Sequence, residues 1–375
     1  MKTSFSPLIF LRRTALALAL CPALFCGAAS AFGQTLTPTP KTAALWKPKL
    51  LFGTVNFNDQ LAKNPDQWRR GAARMDGMLL HLHFFVRQMS APGAQKVEGA
   101  EATIRQLAPM LQNKANVIEL TYHIRDTTSS PEAIALDHAR QIERMEKEFG
   151  IPIAGVNVDW ILSGLAVQMT ETPRQPTESD DAYFTRILKG VLAKSARYVA
   201  AFRAAGRGEA LIAVFPPLYV DEGPWTNARS EVRPGITTSR ILNGLFDLGF
   251  DGFTADSPFF ILANPAYRTA GYYDALRSIE WTCKQRGKAF GFIVNGNNSE
   301  DGAAYDARFA KTSLEALDLV RAAGLRPDAI ILESWYKGPF NLVPETQSDT
   351  LTGTFLSIAQ KLDESANSQN TPVKP

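Results

Sequence analysis

Four apolar residues and a carboxylate, Ala329-Ile330-Ile331-Leu332-Glu333, stand near the end of this 375-residue chain. A strand that is buried on both faces of a parallel sheet reads as a continuous apolar run of this kind, rather than as an alternation of apolar and polar residues. A helical pattern follows at 349–362. The segment therefore predicts a buried parallel strand followed by a helix.

The same strand-then-helix unit recurs eight times. Strands are predicted within 50–57, 77–86, 116–124, 153–160, 210–215, 252–255, 289–295 and 329–335. The helices that follow them are predicted at 60–74, 99–112, 131–149, 181–205, 237–248, 271–286, 303–323 and 349–362. Eight such units predict a single (β/α)8 TIM barrel with long βα loops. The alternative is an open doubly wound sheet, which often carries a Gly-rich phosphate turn after its first strand. Here that strand ends in Asn56-Phe57-Asn58-Asp59, so the barrel is favoured.

The N-terminal segment is typical of an export signal. Lys2, Arg12 and Arg13 precede an apolar stretch at 14–25, and Ala29-Ser30-Ala31 fits a small-x-small cleavage site. We predict a signal peptide at 1–31, a linker at 32–48, the barrel at 49–363 and a flexible tail at 364–375. A retained membrane anchor is the alternative. The expected location is the periplasm or the exterior of a bacterium, with no membrane attachment after cleavage.

Composition and charge argue against a polyanion-binding protein. Without residues 1–31 the chain holds 37 basic and 37 acidic residues, and no basic cluster is interleaved with aromatic residues. No nucleic-acid partner is expected. Cys283 is the cysteine that remains after cleavage, so an internal disulfide is excluded, and we predict that its side chain is buried as a small hydrophobe.

Polar residues cluster where a barrel places its active site. Side chains alternate inward and outward along each strand, and active sites lie at the carboxyl ends of the strands. The inward polar positions predicted near those ends are Asn56, Asn58, His81, His83, Glu119, Thr121, His123, Asn157, Asp159, Thr254, Asp256, Asn295, Asn297, Glu333 and Trp335. Burying charge is costly, and stability alone does not require such a ring, so the convergence predicts a functional site.

Two of these strands resemble a known group of enzymes. Gly249-Phe250-Asp251-Gly252-Phe253-Thr254-Ala255-Asp256 resembles the Gly-x-Asp-Gly-aromatic-x-x-Asp strand of several (β/α)8 glycoside hydrolase families. The last Asp of that strand is often the catalytic nucleophile, which corresponds to Asp256. Gly155-Val156-Asn157-Val158-Asp159-Trp160 is similar to strand four of such enzymes, where a terminal Asp or Glu takes part in catalysis. The best-known retaining families place the nucleophile on strand seven, where this chain has the amide Asn295, so its carboxylate pair must differ from theirs.

The resemblance implies a glycoside hydrolase that uses two carboxyl groups on a polysaccharide or oligosaccharide, without a cofactor. We assign Asp256 as nucleophile or base and Glu333 as acid, while Asp159 binds the sugar or replaces one of them. The residues predicted to bind substrate are Asn56, His81, His83, Glu119, His123, Trp160, Asn295, Trp335 and Tyr336. The loop aromatics among them can cover the apolar faces of sugar rings.

Two alternatives stay open at this point. His81 and His83 lie on one side of a strand, and with His123 and Asp159 they could hold a zinc ion in a metal-dependent hydrolase. A barrel with the same aromatic cleft but without a competent acid pair would be a non-catalytic glycan-binding protein.

Overall fold

The computed structural model describes residues 48–54, 59–81, 100–120, 130–158, 172–215, 234–265, 268, 271–296, 304–334 and 339–368. Leu45–Pro375 form one compact unit, and the other unit, Met1–Ala44, lies outside the described residues. The predicted signal peptide and the linker up to residue 47 therefore also lie outside them. In the described part of the chain, no helix combines the length and the apolar character that crossing a membrane requires.

Eight parallel strands pair in sequence order and close into a barrel, in which the last strand pairs with the first. The strands are β1 (Lys49–Thr54), β2 (Gly77–His81), β3 (Asn116–Leu120), β4 (Ile153–Val158), β5 (Ala210–Phe215), β6 (Gly252–Asp256), β7 (Ala289–Val294) and β8 (Ala329–Ser334). A helix follows each strand along the chain. The predicted (β/α)8 barrel is confirmed, and the doubly wound sheet is excluded because its edge strands would stay unpaired.

The helices match the predicted ones except at three places, one of which is the short helix Phe259–Ala263, which was not predicted. They are α1 (Asp59–Lys63), α2 (Arg69–Arg74), α3 (Ala100–Leu111), α4 (Pro131–Phe149), α5 (Asp180–Ala204), α6 (Pro234–Asp247), α7 (Phe259–Ala263), α8 (Tyr272–Gln285), α9 (Ala304–Ala322) and α10 (Leu351–Ser368). The helix predicted at 60–74 is divided by a 3-10 turn, Pro65–Trp68, because proline cannot continue the preceding helix. Helix α10 runs to Ser368, so its end lies within the segment that was predicted to be a flexible tail.

The apolar core has two layers, one on each side of the strands. Leu51, Leu79, Val117, Val214, Ile293 and Ile331 pack together as one buried cluster and fill the barrel interior. Alternate residues of the same strands, such as Phe52, Phe253 and Phe290, join the larger cluster between the strands and the helices. Because side chains alternate, residues two places after the interior cluster also point inward, and polar side chains occupy four of these positions: His81, Glu119, Asn295 and Glu333.

Side chains at the amino ends of the strands lock neighbouring strands together. Asp76 accepts a hydrogen bond from Leu50 N at 2.7 Å, and Asp328 accepts one from Phe290 N at 2.9 Å. Asn116 at the start of β3 is fully buried and accepts from Met78 N of β2. Its amide also donates to Leu111 O at 2.8 Å and to Pro152 O at 3.0 Å, so it connects β2, α3 and the chain entering β4. In a TIM barrel this face serves stability rather than chemistry.

Replacing Asn116 by alanine is therefore expected to destabilise the fold without changing the chemistry. Three hydrogen bonds are lost and their backbone partners stay buried, which corresponds to about 3 kcal/mol at roughly 1 kcal/mol per bond. Urea unfolding followed by circular dichroism measures the change. An unchanged denaturation midpoint would contradict the assigned structural role.

Candidate active site

The carboxyl ends of the strands bring a layer of polar side chains into the barrel mouth. Its members among the described residues are His81 on β2, Glu119 on β3, Asn157 on β4, Asp256 on β6, Asn295 just after β7 and Glu333 on β8. All are buried except Asp256, which is partly exposed. The strand pairing places His81 opposite Glu119 and Glu119 opposite Asn157. The structure places these six residues at the same end of the barrel.

Two amides in this layer are not satisfied within the described structure. Both side-chain atoms of Asn157 and the Oδ1 atom of Asn295 are buried without a hydrogen-bond partner among the described residues. Buried polar atoms usually have partners, so atoms of this kind in a pocket are candidates for binding a polar ligand.

A glycine allows Glu333 to reach His81 across an intervening strand. Strand β1 lies between β2 and β8, and its residue Gly53 pairs with both Leu79 and Glu333. A side chain at Gly53 would place its Cβ 3.2 Å from the Cβ of Leu79 and 3.4 Å from the Cγ of Glu333. The sequence reasoning missed this residue. An isolated glycine at an inward position of a strand is the signal that points to it, since such a glycine often marks a close approach.

Glu333, His81 and Glu119 form a buried chain of three ionisable groups. The Nε2 atom of His81 lies 2.6 Å from Glu333 Oε1, and its Nδ1 atom lies 3.4 Å from Glu119 Oε1. All three side chains have zero exposure. Since each ring nitrogen faces a carboxyl oxygen, the arrangement suits an imidazolium that carries a proton on both nitrogens.

The protonation states follow from burial and from these neighbours. Burial disfavours the imidazolium, but the negative charges of Glu119 and Glu333 outweigh this effect and raise the pKa of His81 from 6.5 to about 10. Burial also raises the pKa of Glu333 from 4.5 to about 8; the charges of Glu119 and Asp256 add to this rise, and His81 opposes it. Near neutral pH, Glu333 is therefore a neutral carboxylic acid, and the negative charge of Glu119 is the one that remains to favour the imidazolium of His81.

The same three residues were tested as a metal site. One ligand atom from each of His81, Glu119 and Glu333 can be chosen within 4.8 Å of the others. At zinc–ligand distances of about 2.0–2.1 Å, two ligand atoms of a tetrahedral zinc ion lie about 3.3 Å apart. His81 Nε2 and Glu333 Oε1 lie 2.6 Å apart, which is too close for both atoms to bind one zinc ion. The geometry therefore fits a direct contact between these two groups better than a zinc site.

Several predicted site residues cannot be placed. Those that lie outside the described residues are Asn56, His83, His123, Asp159, Trp160, Trp335 and Tyr336. Their predicted roles, including the zinc set built on His83 and His123, remain predictions. Of the carboxyl groups assigned to catalysis, the structure places Asp256 and Glu333 at the same end of the barrel.

Comparisons with known proteins agree with the fold. No family model matches the sequence, and no curated protein matches it. A β-galactosidase from the psychrophilic Marinomonas ef1 has a similar structure (11% identity, 85% of this chain and 60% of that chain covered, TM-score 0.50). So does the catalytic domain of a β-amylase from Paenibacillus polymyxa (9% identity, 86% and 100% covered, TM-score 0.50). The chain thus spans 60% of the length of that β-galactosidase.

These two structures carry the names of enzymes that act on carbohydrates, and what they share with this chain is the fold. A protein from Burkholderia cenocepacia J2315, described as a phosphonomutase, is also similar (14% identity, 84% of this chain and 94% of that chain covered, TM-score 0.39). At these identities the likeness establishes the barrel fold, and the chemistry has to be argued from the site itself.

Proposed function

We propose that this protein is an exported glycoside hydrolase that cleaves a polysaccharide or oligosaccharide with two carboxyl groups, Glu333 and Asp256. One observation supports it above all. A buried carboxylic acid that keeps its proton at neutral pH stands at the same end of the barrel as a partly exposed carboxylate, and the charge of Asp256 contributes to holding that proton. Glycosidic bond cleavage requires such a pair, with one group protonated and the other ionised.

The proposed reaction assigns one proton transfer to Glu333. Its Oε1 atom lies 2.6 Å from His81 Nε2, so we assign the acidic proton to Oε2. That proton passes to the glycosidic oxygen as the bond between this oxygen and the anomeric carbon breaks. Asp256 either attacks the anomeric carbon or activates the water that does so.

The side chain of Glu333 is fully buried, so the proposal requires the glycosidic oxygen to reach it from the barrel mouth. The unsatisfied amides of Asn157 and Asn295 supply hydrogen bonds to sugar hydroxyls in this proposal. The aromatic contacts predicted for Trp160, Trp335 and Tyr336 stay predictions, since these residues lie outside the described part of the chain.

Export is the second part of the proposal and rests on the sequence of residues 1–31. N-terminal sequencing of the protein recovered from a periplasmic fraction is expected to begin at Phe32. An N-terminus at Met1 would support the retained anchor instead.

The direct test of the activity is a panel of purified polysaccharides and oligosaccharides incubated with the protein, with new reducing ends measured by chromatography. We expect the wild-type protein to cleave at least one glycan of the panel and Asp256→Asn to lose this activity. Retained glycan binding without any cleavage would favour the glycan-binding barrel. Cleavage that is abolished by a chelator and restored by zinc would favour the metal-dependent alternative.

The pH dependence of kcat/KM is expected to have an alkaline limb near pH 8. Glu333 is active while protonated, so activity is present below its pKa of about 8 and falls as the pH rises through that value. Initial rates on the substrate found in the panel, measured between pH 4 and pH 10, test this. A rate that stays constant up to pH 10 would exclude Glu333 as the acid.

A further inference from the structure

His81 and Glu119 were predicted to bind substrate, but their surroundings indicate another role. Each ring nitrogen of His81 lies close to a carboxyl oxygen, at 2.6 Å and 3.4 Å, and the imidazole is fully buried, which favours contact with these carboxyl groups over contact with a sugar hydroxyl. Glu119 is also fully buried. Whatever these two residues contribute to catalysis must pass through Glu333.

We propose that His81 and Glu119 are positioning residues that orient Glu333 and stabilise the carboxylate it becomes after it has donated its proton. This inference rests on the proposed function, because it concerns the acid of the same reaction. The imidazolium holds Oε1 of Glu333, which directs the proton to Oε2, and Glu119 holds the imidazolium in place. When the O–H bond at Oε2 breaks and a new one forms at the glycosidic oxygen, Glu333 gains a negative charge directly beside the cation.

The pairing of the strands holds the backbones of His81, Glu119 and Glu333 in a defined register. His81 and Glu119 lie opposite each other in the pairing of β2 with β3, and Glu333 reaches over Gly53 of β1. Backbone pairing thus fixes all three residues. A buried ion pair is costly unless its groups are well satisfied, so a purely structural layer is better served by apolar side chains.

The two neighbours act on Glu333 in opposite directions. His81 favours the ionised form of Glu333 through its charge and its hydrogen bond, whereas Glu119 disfavours it through its negative charge. Asp256 is the other described charged group that acts on Glu333, and it also disfavours the ionised form. Neutralising His81 and neutralising Glu119 should therefore shift the pKa of Glu333 to opposite sides of the wild-type value.

The experiment compares His81→Gln and Glu119→Gln with the wild-type protein. The glutamine at position 81 keeps an N–H donor but has no charge, and the one at position 119 removes the negative charge. Two matched controls are His138→Gln and Glu280→Gln, which replace a buried histidine and a buried glutamate outside this layer. The readouts are the alkaline limb of kcat/KM and the infrared carbonyl band of protonated Glu333, assigned with Glu333→Gln.

We expect His81→Gln to shift the alkaline limb of kcat/KM and the titration of the Glu333 infrared band to higher pH. The variant should also lower kcat by about tenfold or more, since the Glu333 carboxylate loses the cation beside it. Glu119→Gln is expected to shift both to lower pH. The controls should leave both in place. Shifts in the same direction, or no shift in either variant, would overturn the proposal.

The infrared readout separates this inference from the proposed function. If the band titrates as expected but no glycan is cleaved, the positioning chain stands and the glycosidase proposal fails. If glycans are cleaved but neither variant shifts the infrared band or the alkaline limb of kcat/KM, the positioning role is wrong and the glycosidase proposal stands. Should His81→Gln not fold, nitrogen-15 spectra of the wild-type protein decide. His81 must remain doubly protonated up to its pKa of about 10, whereas burial lowers the pKa of His138 to about 3 and keeps that ring neutral.

Discussion

Replacing Glu333 by glutamine is expected to lower kcat for a natural glycan by about 10²- to 10⁴-fold, the range that general acid catalysis contributes. The amide has nearly the same shape, and its oxygen can still accept the hydrogen bond from His81 Nε2. It has no acidic proton to give to the leaving oxygen. The loss should therefore appear in kcat rather than in KM, in steady-state rates measured on the substrate identified in the panel.

The leaving group provides the control for this prediction. A dinitrophenolate leaves without protonation, so Glu333→Gln should cleave a dinitrophenyl glycoside of the same sugar with a kcat/KM close to that of the wild-type protein. This parameter reports cleavage of the glycosidic bond and not the later hydrolysis of a covalent intermediate, in which the same residue would act as base in a retaining enzyme. Glu280→Gln, which removes a buried carboxylate in helix α8, should leave both substrates unaffected. An equal loss on both substrates would contradict the assignment of Glu333 as the acid.

The sequence predicted the barrel because the signal for it is distributed over eight separate segments. Each strand is a short apolar run followed by a helical pattern, and errors at individual ends do not change the count. Alternation along the strands then predicted correctly that His81, Glu119, Asp256 and Glu333 point to the same end. These are local regularities, and they can be recognised in the sequence without knowing how the chain packs.

Which of the inward residues touch each other could not be read from the sequence. Glu333 and His81 lie on strands that are not neighbours, and their contact depends on the missing side chain of Gly53 and on the register of β8 against β1. Distances of 2.6 Å and 3.4 Å arise from closure of the barrel, which is a long-range property. The protonation of Glu333 depends on burial and on three neighbouring charges, and none of these could be derived from the sequence, which left Asp159 as a possible replacement for it.

Replacing Asp256 by alanine is expected to lower kcat by about 10³-fold or more for both kinds of substrate, because this residue is needed whatever the leaving group is. Asp256 is the last residue of β6 and is partly exposed. Among the described carboxylates of the polar layer, it is therefore the most accessible to a sugar at the barrel mouth. The other end of the strand offers a matched control. Asp251 accepts a hydrogen bond from Leu211 N at 3.1 Å and lies 3.2 Å from Arg203. Asp251→Asn should lower the denaturation midpoint and leave kcat unchanged.

Added azide distinguishes the two roles left open for Asp256. If Asp256 is the nucleophile, azide can occupy the space left in Asp256→Ala and attack the anomeric carbon directly, so activity on the dinitrophenyl glycoside returns and a glycosyl azide of inverted configuration accumulates. If Asp256 is the base, it acts through a water molecule, and an anionic nucleophile replaces that water with the same stereochemistry as the wild-type product. The configuration of the azide product relative to the wild-type product, read by proton NMR, therefore decides between a retaining and an inverting enzyme. Wild-type rates in Asp256→Ala without azide would remove this residue from the reaction altogether.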